Sequence, residues 1–165
     1  MSFSLIPDYS FPDICKVTPQ FLKKAGIRLL LLDLDNTMAP YGTLVPSREI
    51  AEWAEAVRES GVTTFILTNN RGSERVEALS KALGMGYIMN ARKPFVTGIN
   101  QALEKLGFSK AETALAGDQI FTDVLAANCA GITSIVVRPI RSLNPLFNLR
   151  YWLEAPFRAL CRNKM

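Results

Sequence analysis

An apolar run that ends on two carboxylates constrains the fold of this chain more than any other part of its sequence. Residues 28–37 read Arg-Leu-Leu-Leu-Leu-Asp-Leu-Asp-Asn-Thr. A short apolar stretch of this kind is typical of a strand that is buried on both faces. If strand alternation continues to the end of the run, Asp33 and Asp35 lie on the same side. The run therefore predicts a buried strand with two acidic groups at its carboxyl end.

Two carboxylates that converge at one strand end need a positive partner. A divalent cation, a lysine ammonium or a shared proton would each serve. The carboxyl ends of strands in open α/β sheets are also where ligands usually bind. The pair of Asp33 and Asp35 therefore indicates a functional site as well as a strand.

The rest of the chain alternates between helical and strand patterns. Apolar spacing predicts helices over 47–60, 73–83, 95–106 and 121–129, and apolar or β-branched runs predict strands over 62–68, 87–89, 113–117 and 133–137. This alternation predicts an α/β fold, a three-layer doubly wound parallel sheet with helices on both faces. The intervals from Asp35 to Thr68 and from Thr68 to Lys93 are each used up by a loop, one helix and a predicted strand. We therefore expect no inserted cap domain and an open site.

The absence of histidine excludes several kinds of site. The chain has no histidine, so Ser-His-Asp and Cys-His nucleophile systems and His-ligated metals are excluded. Cys15, Cys129 and Cys161 are scattered and show no CxxC spacing, which argues against a zinc site or a disulfide framework and fits a reducing cytosol. Acid–base chemistry here must therefore use carboxylates, lysine, tyrosine or cysteine.

Polar groups also follow the other predicted strands. Thr68 and Asn69 come after the second strand and open a helix, where a hydroxyl and amides can hold an anion. Lys93 lies before the helix that follows the third strand, and Asp118 and Asp123 follow the fourth. A carboxylate that attacks phosphorus, a hard cation such as Mg²⁺ and a lysine on the phosphate oxygens together form a phosphoryl-transfer site.

These residues resemble, in order and spacing, the four motifs of the haloacid dehalogenase superfamily of phosphohydrolases, a family with a Rossmann-like fold. The resemblance covers residues 28–137 and implies an aspartyl-phosphate intermediate. It makes Asp33 the nucleophile and Asp35 the general acid/base, while Thr68 and Lys93 hold the phosphoryl group.

The same resemblance implies a Mg²⁺ cofactor. Its ligands would be the side chains of Asp33 and Asp118 and the backbone carbonyl of Asp35, with Asp123 beside them, directly or through water.

A closer resemblance is to the YqeG-like branch of subfamily IIIA, which is related to phosphatidylglycerophosphate phosphatases. It rests on segments that include Thr18-Pro19, Asp35-Asn36-Thr37, Asn69-Asn70, Ala91-Arg92-Lys93-Pro94 and Gly117-Asp118-Gln119. The resemblance implies phosphatidylglycerophosphate as the substrate. Two alternatives stay open: a phosphatase of a soluble sugar phosphate or nucleotide, and a non-catalytic binding protein on the same fold.

The positive charge of the chain is concentrated after residue 137. Glu154 is the single acidic residue there, against Arg138, Arg141, Arg150, Arg158, Arg162 and Lys164. We expect a phosphatase domain over residues 1–140 and a basic amphipathic tail over 141–165. Its apolar repeat predicts a helix that starts at Asn144-Pro145 and is kinked at Pro156: Leu146, Leu149, Leu153, Phe157 and Leu160.

Periodicity favours a tail helix whose apolar face packs on the domain or on a second subunit, and so allows a homodimer. The lipid-phosphatase resemblance makes contact with an anionic membrane about as strong an interpretation. No groove-reading motif is present, so we expect no nucleic-acid partner. Without a signal peptide or a membrane span, the expected location is the cytoplasm, with peripheral contact at the inner face of the membrane.

Overall fold

The chain folds around a parallel sheet, as the alternation predicts. The structure, a computed structural model, describes residues 3–140 and 145–164. Its strands are β1 (Tyr9–Phe11), β2 (Leu29–Leu32), β3 (Thr63–Leu67), β4 (Gly86–Ile88), β5 (Thr113–Gly117), β6 (Thr133–Val137) and β7 (Asn163–Lys164). They form one sheet in the order β4-β3-β2-β5-β6-β1-β7, and neighbouring strands are parallel.

Helices cover both faces of this sheet. They are α1 (Pro19–Lys24), α2 (Arg48–Glu59), α3 (Ser73–Leu83), α4 (Thr97–Leu106), α5 (Leu125–Ala130) and α6 (Pro145–Ala159). The leucines of β2 alternate between two cores: Leu30 and Leu32 pack with residues of α1, α2 and α3, and Leu29 and Leu31 pack with residues of α4 and α5. The predicted three-layer arrangement is confirmed, and no cap domain interrupts residues 33–140.

Local signals explain where the main helices begin and end. The hydroxyl of Ser47 accepts from the backbone N–H of Ile50 and so caps the start of α2. Helices α3 and α4 end at Gly84 and Gly107, whose φ angles of +64° and +73° suit glycine.

Three elements near the ends of the chain were missed. Strand β1 is only three residues long and joins β6 to the two-residue β7, so neither strand offers a pattern to read. Helix α1 has a clear start, since Thr18 accepts from the N–H of Phe21 and Pro19 is the first helical residue. Its six residues are too few to show helical periodicity.

One predicted helix has a different form. Residues 121–129 were expected to form one α-helix, but Ile120–Val124 form a π-helical turn and α5 begins only at Leu125. The N–H of Val124 donates to the carbonyl of Gln119, five residues back, which widens the turn.

The tail is integrated into the domain. Helix α6 continues through Pro156 to Ala159, and β7 then adds to the sheet edge beside β1. The predicted helix start at Asn144 and the side chain of Leu146 lie outside the residues whose placement or burial is described. Within residues 3–140 and 145–164, no helix is long and apolar enough to cross a bilayer.

Candidate active site

A tight turn after β2 places the two carboxylates of the leading motif. The strand ends at Leu32, and Asn36 has a φ of +61°, a left-handed conformation that asparagine tolerates better than most residues. The N–H of Asn36 donates to the carbonyl of Ala39 at 2.9 Å, which closes the turn. Asp35 therefore lies in the turn rather than on the strand, and its partners differ from those of Asp33.

Asp33 is ion-paired with the lysine that the sequence predicted beside it. The Nζ atom of Lys93 lies 2.6 Å from Asp33 Oδ1 and 2.6 Å from Asp123 Oδ1. The Lys93 side chain is only 1% exposed, so this ammonium bridges two carboxylates away from water. The motifs after β2, β4 and β5 thus meet at the carboxyl edge of the sheet.

Asp33, Asp118 and Asp123 form a carboxylate cluster. Each offers one oxygen, and these oxygens lie within 4.8 Å of one another. Asp33 Oδ2 and Asp118 Oδ1 are buried without a hydrogen-bond donor from the residues that the structure describes. Buried acceptors of this kind need a partner, and three converging carboxylate oxygens are the donor set that a hard divalent cation prefers. The residues present therefore fit a divalent metal.

The pKa values of the cluster also favour a bound cation. Burial raises the pKa of Asp33 to about 7; Lys93 opposes this, while Asp123 and Asp35 add to it. Burial also raises the pKa of Asp118 well above its usual range, and Asp33 and Asp123 contribute. Burial alone would lower the pKa of Lys93, but Asp123 and Asp33 outweigh it and raise this pKa. A bound cation would favour the ionised carboxylates, the form that a nucleophile requires.

Asn69 orients the lysine through its backbone. Its side-chain amide donates to the carbonyl of Lys93 at 2.9 Å and accepts from the N–H of Lys93 at 2.8 Å. Thr68 is buried at the end of β3, and its hydroxyl accepts from the N–H of Asn70 at 3.1 Å. The side chain of Asn69 thus supports Lys93, while Thr68 lies beside it at the same sheet edge.

Asp35 is held by a residue that the sequence analysis missed. Arg75 Nη1 lies 2.5 Å from Asp35 Oδ1, and the amide of Asn70 donates to Asp35 Oδ2 at 3.1 Å. Arg75 also donates to the carbonyls of Thr43 and Pro40, so it ties Asp35 to the loop that contains these two residues. A signal was available: Arg75 precedes the buried Leu79 and Leu83 by four and eight residues, on the apolar face of α3.

The loop after β5 is shaped by close packing around Asp123. The N–H of Gln119 donates to Asp123 Oδ2 at 3.0 Å. A Cβ atom at Gly117 would overlap the Asp123 carboxyl group, so this position requires glycine. The π-helical turn and Gly117 together bring Asp118 and Asp123 to the cluster. We call residues 117–124 the acidic loop.

Helix α6 packs its charged side against the acidic loop. Glu154 is 1% exposed, accepts from the N–H of Phe121 at 3.2 Å and pairs with Arg158 at 3.1 Å. Arg158 donates to the carbonyls of Val137 and Asp118. Arg150 Nη2 lies 3.8 Å from Asp118 Oδ2. The tail helix therefore reaches the candidate site with charged residues.

The apolar side of α6 faces outward. Leu149, Trp152, Leu153 and Leu160 are all more than half exposed, whereas Phe157 makes an edge contact with the ring of Phe121. Most of this face therefore does not pack on the domain, while its contact with a second subunit or with a membrane stays a prediction. Periodicity identifies the amphipathic helix, but it does not show which side packs on the domain. The charged side does so, because Arg158 donates to a carbonyl of the acidic loop.

Comparisons with known proteins agree with this site. The family of haloacid dehalogenase-like hydrolases matches residues 5–131. The chain is 34% identical over 137 residues to the probable phosphatase YqeG of Bacillus subtilis, an alignment that covers 83% of this chain and 79% of that protein. It is 26% identical over 152 residues to phosphatidylglycerophosphate phosphatase 1 of Chlamydomonas reinhardtii, covering 87% of this chain.

The chain spans about half the length of that algal relative, 56%. Its fold resembles the structure of 3-deoxy-D-manno-octulosonate 8-phosphate phosphatase from Moraxella catarrhalis, determined with magnesium, phosphate and the sugar acid. The TM-score is 0.55 at 18% identity, over 88% of this chain and 80% of the other.

The family match and the phosphatase-named relatives favour an enzyme over a non-catalytic binding protein. The match to the family covers β1 to β5 and all residues of the carboxylate cluster. This chain belongs to the haloacid dehalogenase-like hydrolase family and is a phosphatase.

Proposed function

We propose that the protein is a Mg²⁺-dependent phosphomonoester hydrolase that works through an aspartyl phosphate on Asp33. The observation that carries this proposal is the Lys93 ammonium, which bridges Asp33 and Asp123 beside unpaired oxygens of Asp33 and Asp118. A lysine and a cation at one carboxylate lower the repulsion that an anionic nucleophile meets at a phosphoryl group.

The metal would be held by the side chains of Asp33, Asp118 and Asp123 and by the backbone carbonyl of Asp35. The three side chains already converge on one point. When bound, Mg²⁺ neutralises charge on the phosphoryl oxygens and keeps the carboxylate of Asp33 ionised.

In the first step, an oxygen of Asp33 attacks phosphorus, and the bond from phosphorus to the leaving oxygen breaks. Asp35 donates a proton to that oxygen, so the product leaves as an alcohol. Thr68, Lys93 and Asn69 would hold the remaining phosphoryl oxygens. Arg75 and Asn70 each contact one oxygen of Asp35, and each oxygen keeps a second lone pair that can carry the proton.

In the second step, Asp35 takes a proton from water as the water oxygen attacks phosphorus. The bond between Asp33 and phosphorus breaks, and inorganic phosphate forms. Both carboxylates return to their starting protonation states, so the cycle consumes only ester and water.

The substrate that we propose is phosphatidylglycerophosphate, with phosphatidylglycerol as product. A relative that shares 26% identity is named for this reaction. No cap domain covers the site within residues 33–140, so a phosphate on a large lipid headgroup could reach it. The outward apolar side of α6, with Trp152 73% exposed and arginines on the same helix, suits peripheral contact with an anionic lipid surface.

The test is phosphate release from phosphatidylglycerophosphate in mixed micelles, with Mg²⁺ or with EDTA, for the whole chain and for Asp33→Asn. We expect Mg²⁺-dependent release that falls at least about a thousandfold in the variant, because an amide is a poor nucleophile toward phosphorus. Full activity of Asp33→Asn would overturn the mechanism. Hydrolysis confined to soluble sugar phosphates or nucleotides would keep the mechanism and overturn the lipid substrate.

A further inference from the structure

An open cleft has Asp35 as one of its walls. It has a volume of ≈ 580 Å³ and is lined by Asp35, Tyr41, Asn69, Asn70, Arg71 and Gly72. Under the proposed function, on which this inference rests, Asp35 protonates the leaving oxygen. The group attached to that oxygen must therefore occupy this cleft.

The cleft contains one arginine that its own walls do not neutralise. Arg71 is exposed, and within the described part of the chain no carboxylate forms a salt bridge with it. Asp35, the carboxylate in the cleft, is instead paired with Arg75 and hydrogen-bonded to Asn70. The positive charge of Arg71 is thus available to a ligand.

Two further features of the cleft favour an anion. Gly72 is the N-cap of α3, an 11-residue helix, and provides no side-chain cap, so the positive end of the helix dipole opens here. The walls carry no aliphatic side chain, and Tyr41, which is 66% exposed, supplies the only ring among them. A small charged group in this cleft would find donors in the Arg71 guanidinium and at the start of α3.

We propose that this cleft is a leaving-group subsite for an anionic group, and that Arg71 is its specificity-determining residue. The ligand class is an alcohol that carries its own phosphate or phosphodiester a few atoms from the scissile phosphate. A guanidinium can bind two oxygens of such a group at once. A lipid headgroup and a soluble bisphosphate share this chemistry.

The experiment compares kcat/KM for two soluble esters in the presence of Mg²⁺. Glycerol 1,3-bisphosphate has an anionic leaving group, and glycerol 1-phosphate has a neutral one. We expect the whole chain to prefer the bisphosphate, and Arg71→Gln to lower the ratio of the two kcat/KM values about tenfold, as for the loss of a charge-assisted hydrogen bond. Arg71→Lys keeps the charge and should recover part of the ratio.

A matched control is Arg48→Gln, because Arg48 is exposed on α2 and paired with Glu52 at 2.6 Å, outside the cleft. It should leave the ratio unchanged. An equal ratio for the whole chain and Arg71→Gln, with both esters hydrolysed, overturns the subsite and leaves the proposed function standing. Hydrolysis of neither ester, nor of phosphatidylglycerophosphate in micelles, overturns both.

The same variants assayed on phosphatidylglycerophosphate in micelles distinguish the two sources of ligand. A loss of rate there in Arg71→Gln supports the subsite with a lipid headgroup as its ligand. A loss confined to the soluble bisphosphate supports it with a soluble ligand.

Discussion

Without divalent metal, the free energy of unfolding of this protein should decrease as the pH rises from 5 to 8. The pKa of Asp33 is raised by burial from 3.8 to about 7. A carboxyl group with a raised pKa in the folded state stabilises the fold fully only below its unfolded pKa, and this contribution is lost as the pH rises through the folded pKa. Without metal, the charged Asp33 is therefore an unfavourable group near pH 8.

The size of the effect follows from the two pKa values. Between pH 5 and pH 7 the folded protein holds the Asp33 proton and the unfolded chain does not. Each such pH unit corresponds to about 1.4 kcal/mol, so Asp33 accounts for a loss of about 2.5 kcal/mol in the free energy of unfolding between pH 5 and pH 8. Titration of Asp118, whose pKa is raised by burial and by its acidic neighbours, acts in the same direction.

Urea unfolding in EDTA at pH 5 and pH 8 measures this loss, and Asp33→Asn isolates the share of Asp33. The variant has no carboxyl group to titrate at this position, so its loss should be smaller by about 2.5 kcal/mol. Mg²⁺ should stabilise the unchanged chain more at pH 8 than at pH 5, because it competes with protons for the carboxylates. Equal pH dependence in the two proteins would refute the reasoning.

Two more predictions concern α6. Glu154→Gln leaves the largely buried Arg158 without its counter-charge and should lower the free energy of unfolding, measured in urea, by about 3 kcal/mol. The control Glu52→Gln removes an exposed ion pair and should cost less than about 0.5 kcal/mol. Equal losses would contradict a stabilising role for the contact of Glu154 and Arg158 with the acidic loop. Trp152→Ser with Leu153→Ser should weaken sedimentation with phosphatidylglycerol vesicles at least about tenfold, while Phe3→Ser, equally exposed, should not. Vesicle binding that survives the double substitution would exclude this face as the lipid contact.

The central fold could be predicted because its elements are long or strongly patterned. Helices α2 and α3 lie within one residue of their predicted bounds, and the leucines of β2 divide between the two cores as a strand buried on both faces requires. The edge strands β1 and β7 have three and two residues, and their pairing depends on chain segments far apart in sequence. Such pairing leaves no local signal.

The carboxylates and Lys93 of the site could be predicted because each follows a strand, and parallel strands bring their carboxyl ends to one edge. The supporting charges could not be predicted so directly. Glu154 lies 33 residues after Phe121, whose N–H it accepts, and nothing in its local pattern marks it as buried. Arg75 was detectable only as a charge on an apolar helix face, a pattern that is read more often as a helix edge.

The two sides of α6 make it a link between surfaces that never touch each other. Its inner side contacts the loop that carries Asp118, and its outer side presents Trp152 to the surroundings. If a cation bound at the acidic loop stabilises the packing of α6, the packed helix stabilises cation binding by the same free energy. If the outer side binds lipid best when α6 is packed on the domain, a higher magnesium concentration would lengthen the residence time of the protein on a bilayer. Binding to the bilayer would in turn raise its affinity for magnesium.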